Sequence, residues 1–105
     1  MADPHSSAVE GIVVEEQIRL TLDDLSRACH VARTEVIILV EAGVLEPAGT
    51  GPENWFFAGP ALRRARVALR LARDLELGVT GTAVALELLD EIEALRSRLR
   101  RAGLL

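Results

Sequence analysis

The sequence predicts a mainly α fold: a helix-turn-helix with a small β-wing, followed by two C-terminal helices of which the last is partly coiled-coil-like. Three observations lead there. Residues 20–47, LTLDDLSRACHVARTEVIILVEAGVLEP, read as two short amphipathic helices joined by a tight turn. Half the residues are hydrophobic, yet only one Trp and two Phe are aromatic, so the core must be built from Leu, Val, Ala and Ile, which favours helices. Finally, Ala85, Leu88, Ile92, Leu95, Leu99 and Ala102 recur at alternating steps of three and four, the seam of a coiled coil.

Residues 1–11 combine Pro, Ser, Gly and small side chains without periodicity, and the expectation is a disordered tail in which His5 is solvated. From Ile12 the text turns β-like, and Ile18-Arg19-Leu20 alternates apolar with polar up to the first helix. Thr21 is placed to cap that helix. Asp24, three residues on, completes an acidic capping box, and Leu22, Leu25 and Ala28 then face one way. The pattern breaks at residues 30–32 and restarts at Thr34-Glu35. It runs through Val36, Leu39 and Val40 and stops at Gly43, which tolerates the left-handed conformation of a helix end.

Val44-Leu45-Glu46-Pro47 is expected to form a second strand, residues 48–54 a turn, and Trp55-Phe56-Phe57 the returning strand. The leading strand is available as a third member, and the aromatic cluster is expected to pack this wing onto the helices. Gly59-Pro60 opens a third helix, with proline at a first-turn position that suits it. Its buried arc is expected at Leu62, Ala65, Ala68, Leu69, Ala72 and Leu75. Arg63, Arg66, Arg70 and Arg73 line the adjoining face, read as solvated, with their stems covering apolar surface. Residues 78–81 mark a break. A last helix over residues 82–102 follows, acidic at its start and basic at its end, so that both ends complement the helix dipole. Val84, Leu86 and Leu89 are expected to pack its first part on the domain. Leu95 and Leu99 are assigned to dimerisation, with cover of this chain's own core as the other reading. The domain division is thus a tail over 1–11, a winged helix-turn-helix over 12–77, and a C-terminal helix over 78–105.

Charge narrows the function. The first 60 residues hold ten acids against three arginines, whereas the remainder holds nine arginines against six acids. A DNA reader gains most of its affinity by displacing counterions with Lys and Arg, and reads bases largely with Arg, Lys, Asn and Gln. Helical geometry puts Thr34, Ile37, Ile38 and Glu41 on the side away from Val36, Leu39 and Val40. With Glu35 they form an acidic, partly apolar face that suits a basic protein partner and not a duplex, so direct DNA binding is not expected. No catalytic residues are expected, because Cys29 and His30 project about 100° apart on a helix and form no nucleophile–base set with Ser26. One cysteine and two histidines make no metal site, and no cofactor is expected. The longest apolar run is Val36 to Val40 and no export signal stands at residues 1–10, so the expectation is a cytoplasmic protein without a membrane segment.

The order strand, two helices, wing and helix, with LTLDDLSRACHVARTEV and EAGVLEP, resembles the MerR-like winged helix-turn-helix. The usual Arg-Tyr-Tyr segment is here Ile37, Ile38 and Leu39, a usual base is replaced by Glu41, and Glu53-Asn54 stands where a wing arginine is usual. Ala83-Val84-Ala85-Leu86, Leu88, Asp90, Ile92 and Leu95 further resemble the last-helix motif of the chaperone modulator CbpM family. That resemblance implies a regulator that binds the J-domain of a DnaJ/CbpA-like co-chaperone and inhibits its co-chaperone and DNA-binding activities. The partner-binding residues assigned to it, Glu35, Ile37, Ile38 and Glu41, come from the charge argument above. The alternative is a MerR-type dimeric DNA-binding transcriptional regulator.

Overall fold

In the computed structural model, which describes residues 18–105, the chain runs through two minimal strands and four helices. These are β1 (Arg19–Leu20), α1 (Leu22–Cys29), α2 (Arg33–Glu41), β2 (Phe57–Ala58), α3 (Gly59–Asp74) and α4 (Val79–Arg101). A single 3-10 turn, Pro52–Asn54, precedes β2. The tail over 1–11, with His5, and the strand start at Ile12 lie outside the described residues.

Local chemistry explains each boundary. Thr21 Oγ1 accepts from the Asp24 N–H at 3.0 Å while Asp24 Oδ2 accepts from the Thr21 N–H at 2.9 Å, so both halves of the capping box close. Arg27 adds a bond to the other carboxylate oxygen at 2.9 Å. The backbone and hydroxyl contacts of Thr21, with Arg27 behind them, hold the Asp24 carboxyl below its ordinary pKa. α1 stops where His30 adopts φ 58°, and the Val31 N–H returns to the Ser26 carbonyl at 3.1 Å. α2 ends the same way: Gly43 has φ 78°, its N–H reaches the Val40 carbonyl at 3.0 Å, and the Val44 N–H reaches the Leu39 carbonyl at 2.9 Å.

That cap corrects the expected strand at residues 44–47. With their N–H groups turned back toward Leu39, Val44 and Leu45 cannot join a ladder, and their side chains drop into the core instead. The wing is smaller than anticipated. β1 pairs with β2 antiparallel, Arg19 opposite Ala58 and Leu20 opposite Phe57, and the outer segment contributes one bridge, Ala48 to Phe56. Gly49 (φ 99°) closes the wing loop at a place where a Cβ would collide with the Asn54 carbonyl. The aromatics divide: Phe57 is buried with Trp55 edge-on to it, ring centroids 6.2 Å apart, while Phe56 faces outward beneath the Arg19 guanidinium.

The core joins Leu22 and Leu25 of α1, Val36 and Leu39 of α2, Val44, Leu45 and Phe57, Ala65 and Ala68 of α3, and Leu86 of α4. α3 is the central element, packing on α1, β2 and α4. Three further expectations are corrected. Leu75 is 62 % exposed because α3 ends at Asp74 and the chain turns away through Glu76 at φ 53°. The break lies at residues 75–78, so Thr80 and Gly81 belong to α4, whose buried positions are Thr82 and Leu86, whereas Val84 and Leu89 face solvent. Among the described residues no helix is long and apolar enough to cross a membrane.

Candidate functional site

The rotation of α2 about its axis is fixed by Val36 and Leu39, both buried in the core. At about 100° per residue that anchoring turns Thr34, Ile38 and Glu41 outward and leaves Glu35 and Ile37 on opposite flanks. Thr34, Glu35, Ile38 and Glu41 are exposed, and Ile37 is half-buried against the core. The structure therefore brings Glu35, Ile38 and Glu41 into one row at three-residue steps and sets Ile37 apart from it. Neither glutamate has an ion-pair partner among the described residues, and Ile38 is 44 % exposed between them.

Beside this row sits the start of α4. One shallow cleft is lined by Ile38, Glu41, Ala42, Val79, Thr80 and Ala83, and a second by Glu35, Ile38, Leu39, Leu69, Ala72, Val79 and Thr82, the latter about 140 Å³ and mostly apolar. Among the described residues no arginine lines either cleft.

The basic residues of the helix-turn-helix are already engaged. Arg27 pairs with Asp24, and Arg33 at the start of α2 holds Asp23 at 3.0 Å and Glu53 of the wing at 3.4 Å. The α3 arginines gather elsewhere: Arg66, Arg70 and Arg73 flank a groove against Ala28, Cys29 and His30 at the end of α1. α2 thus keeps a negative, partly apolar outer side, which repels a phosphate backbone and attracts a basic surface. The α1 end offers no reactive set, because the Ser26 hydroxyl donates to the Val31 carbonyl at 2.6 Å. Partial burial raises the pKa of the Cys29 thiol, against a smaller opposing pull from Arg66.

α4 leaves the domain after Leu86. Leu88, Ile92, Leu95 and Leu99 remain exposed, the last two at 45 % and 41 %. Its direction is set by Arg64, which the basic-stripe pattern passes over. The Arg64 Nε donates to the Val44 carbonyl at 2.6 Å, while Nη1 and Nη2 grip the two Asp90 oxygens at 2.9 and 3.0 Å. Arg64, Val79 and Thr82 were not singled out as site residues in the sequence. The available hint is that Arg64 falls one position off the exposed stripe, toward the side that α4 covers.

Comparison with known proteins gives one family. The family described as MerR HTH family regulatory protein matches residues 20–102. A chaperone modulatory protein CbpM of Coxiella burnetii is 44 % identical over 92 residues, covering 88 % of this chain and 87 % of the relative. Proteins of the same name from Pseudomonas putida and Pseudomonas entomophila are 41 % and 40 % identical over 80 residues, covering 76 % of this chain and 79 % of each relative. On the fold, the departures on α2 and these relatives together, the chain belongs to the CbpM chaperone modulatory protein family within the MerR helix-turn-helix group.

Proposed function

We propose that this protein is a cytoplasmic chaperone modulator that binds the J-domain of a DnaJ/CbpA-like co-chaperone and inhibits its co-chaperone and DNA-binding activities. The observation that carries this reading is the row Glu35, Ile38, Glu41: an acidic edge, without an ion-pair partner among the described residues, around an exposed isoleucine, on the helix that a DNA reader of this fold would lay in the major groove. J-domains present a basic helix beside their His-Pro-Asp loop, and such a helix supplies the charge this row lacks. Ile37, half-buried against the core, stands apart from that row. The protein acts as a homodimer through Leu95 and Leu99. Antiparallel pairing of two α4 helices sets the acidic residues 87–93 of one copy opposite the basic residues 96–101 of the other and covers both seams.

The test is direct titration of a purified J-domain co-chaperone with the wild type and with Glu35→Lys/Glu41→Lys. Reversal of two exposed charges is expected to weaken binding by about tenfold or more, with the loss shrinking at high salt. Duplex DNA should be ignored at moderate salt. Sequence-selective DNA binding by the pure wild type overturns the proposal in favour of a transcriptional regulator.

A further inference from the structure

The cleft beside Ile38 carries the reading one step further. It is walled by Ile38 of α2, Leu69 and Ala72 of α3, and Val79 and Thr82 of α4, with Glu35 at its edge. Its volume of about 140 Å³ is well below the roughly 300 Å³ at which ligand and cofactor pockets begin, so it matches a single side chain and not a small molecule. Ile38 and Val79, 44 % and 39 % exposed, form an apolar lip whose other edge is open to Glu41. Thr82 is almost fully buried, and its hydroxyl has no hydrogen-bond partner among the described residues. The oxygen is itself shielded from solvent, so an aliphatic guest strips no water from it.

We infer that this cleft is the specificity pocket for one aliphatic side chain, leucine or isoleucine in size, projecting from a cationic helix of the partner. The inference rests on the co-chaperone reading above and deepens it. Charge complementarity fixes the occupant's surroundings. Glu35 and Glu41 are six residues apart, about 9 Å along α2, with Ile38 midway. On a partner helix, residues seven apart span about 10.5 Å, so Lys or Arg three to four positions before and after the aliphatic residue meet the two carboxylates together. The rule is therefore a basic-aliphatic-basic row on one helical face. Acidic peptides and nucleic acid fail it on charge.

The experiment uses the full chain and two probes: a purified J-domain co-chaperone and a short fluorescein-labelled helical peptide with one leucine bracketed by arginines in that register. Replacing the peptide's leucine by alanine is expected to weaken binding by about tenfold, as is Ala72→Leu in the protein, which fills the cleft from within. Circular dichroism confirms that the variant folds; should it not, Val79→Ser at the exposed lip takes its place with the same expected loss. Equal binding of the leucine and alanine peptides, or full affinity after the cleft is filled, overturns the pocket, and the acidic-row reading then survives if Glu35→Lys/Glu41→Lys still weakens the co-chaperone complex. Absence of co-chaperone binding by the wild type sinks both.

Discussion

α1 and α4 are both amphipathic helices with leucines at helical spacing, and they dispose of those leucines in opposite ways. In α1, Leu22 and Leu25 are buried in the core that α2 and α3 complete. In α4 only Thr82 and Leu86 are buried, and Leu88, Ile92, Leu95 and Leu99 stay in solvent along a helix about 34 Å long. The same residue type at the same period thus fills a chain's interior in one helix and forms an unpartnered outer seam in the other. Spacing identifies an apolar face; only the geometry of the neighbours says whether the chain itself covers it.

The sharpest way to break this contrast is paired truncation. Leu25→Ala is expected to destabilise the protein by about 2–5 kcal/mol in chemical denaturation, through lost burial and a residual cavity. Leu95→Ala should change the stability of the isolated chain by less than about 0.5 kcal/mol while lowering self-association in sedimentation. Equal destabilisation by the two would mean that α4 folds back on its own domain. Next in size is Arg64→Ala, which removes the partner of the Val44 carbonyl and of Asp90 at a half-buried position. A loss of about 1–3 kcal/mol is expected in the same measurement, toward the lower end because Asp90 is largely solvated.

Smaller effects sharpen the comparison at the helix starts. Thr21→Ala should cost about 1 kcal/mol by opening the capping box, whereas α4, whose N-cap position is Gly78, has no side-chain cap bond to lose. The lowered Asp24 pKa gives that cap a pH signature. Its contribution is complete above the ordinary aspartate value of 3.8 and is lost as pH falls through the lowered folded-state value, so acid titration of stability should be shallower in Thr21→Ala than in the wild type. The smallest expected change is a gain: Thr82→Val removes a buried hydroxyl that lacks a partner among the described residues and should raise stability by up to about 1 kcal/mol, read from the thermal midpoint.

Much of the fold was legible because its punctuation is local. Thr21 with Asp24, Gly43, Pro60 and the heptad-spaced leucines each act over one or two turns, and each marks the element it announces. Val44-Leu45 misled because an apolar pair after a glycine reads equally as a strand or as the inward-turned end of a helix cap, and the returning N–H groups settle the choice in three dimensions. Leu75 misled because α3 stops one residue short of the position where the periodicity would have buried it. For the site, the exposure of Glu35, Ile38 and Glu41 follows from the helical period once Val36 and Leu39 are taken as core. The contribution of Val79 and Thr82 does not, because it depends on α4 starting beside α2, a contact between segments some 40 residues apart in the chain. The Arg64–Asp90 pair is hidden for the same reason, spanning 26 residues.

Arg64 has a consequence for shape. One guanidinium is shared by the turn that ends α2, by α3, and by the middle of α4, so the acidic row and the protruding seam are held at a set angle like the jaws of a caliper. Any assembly that engages both surfaces meets them at that one opening, and substitutions that slacken the hinge alter the gauge without touching either jaw.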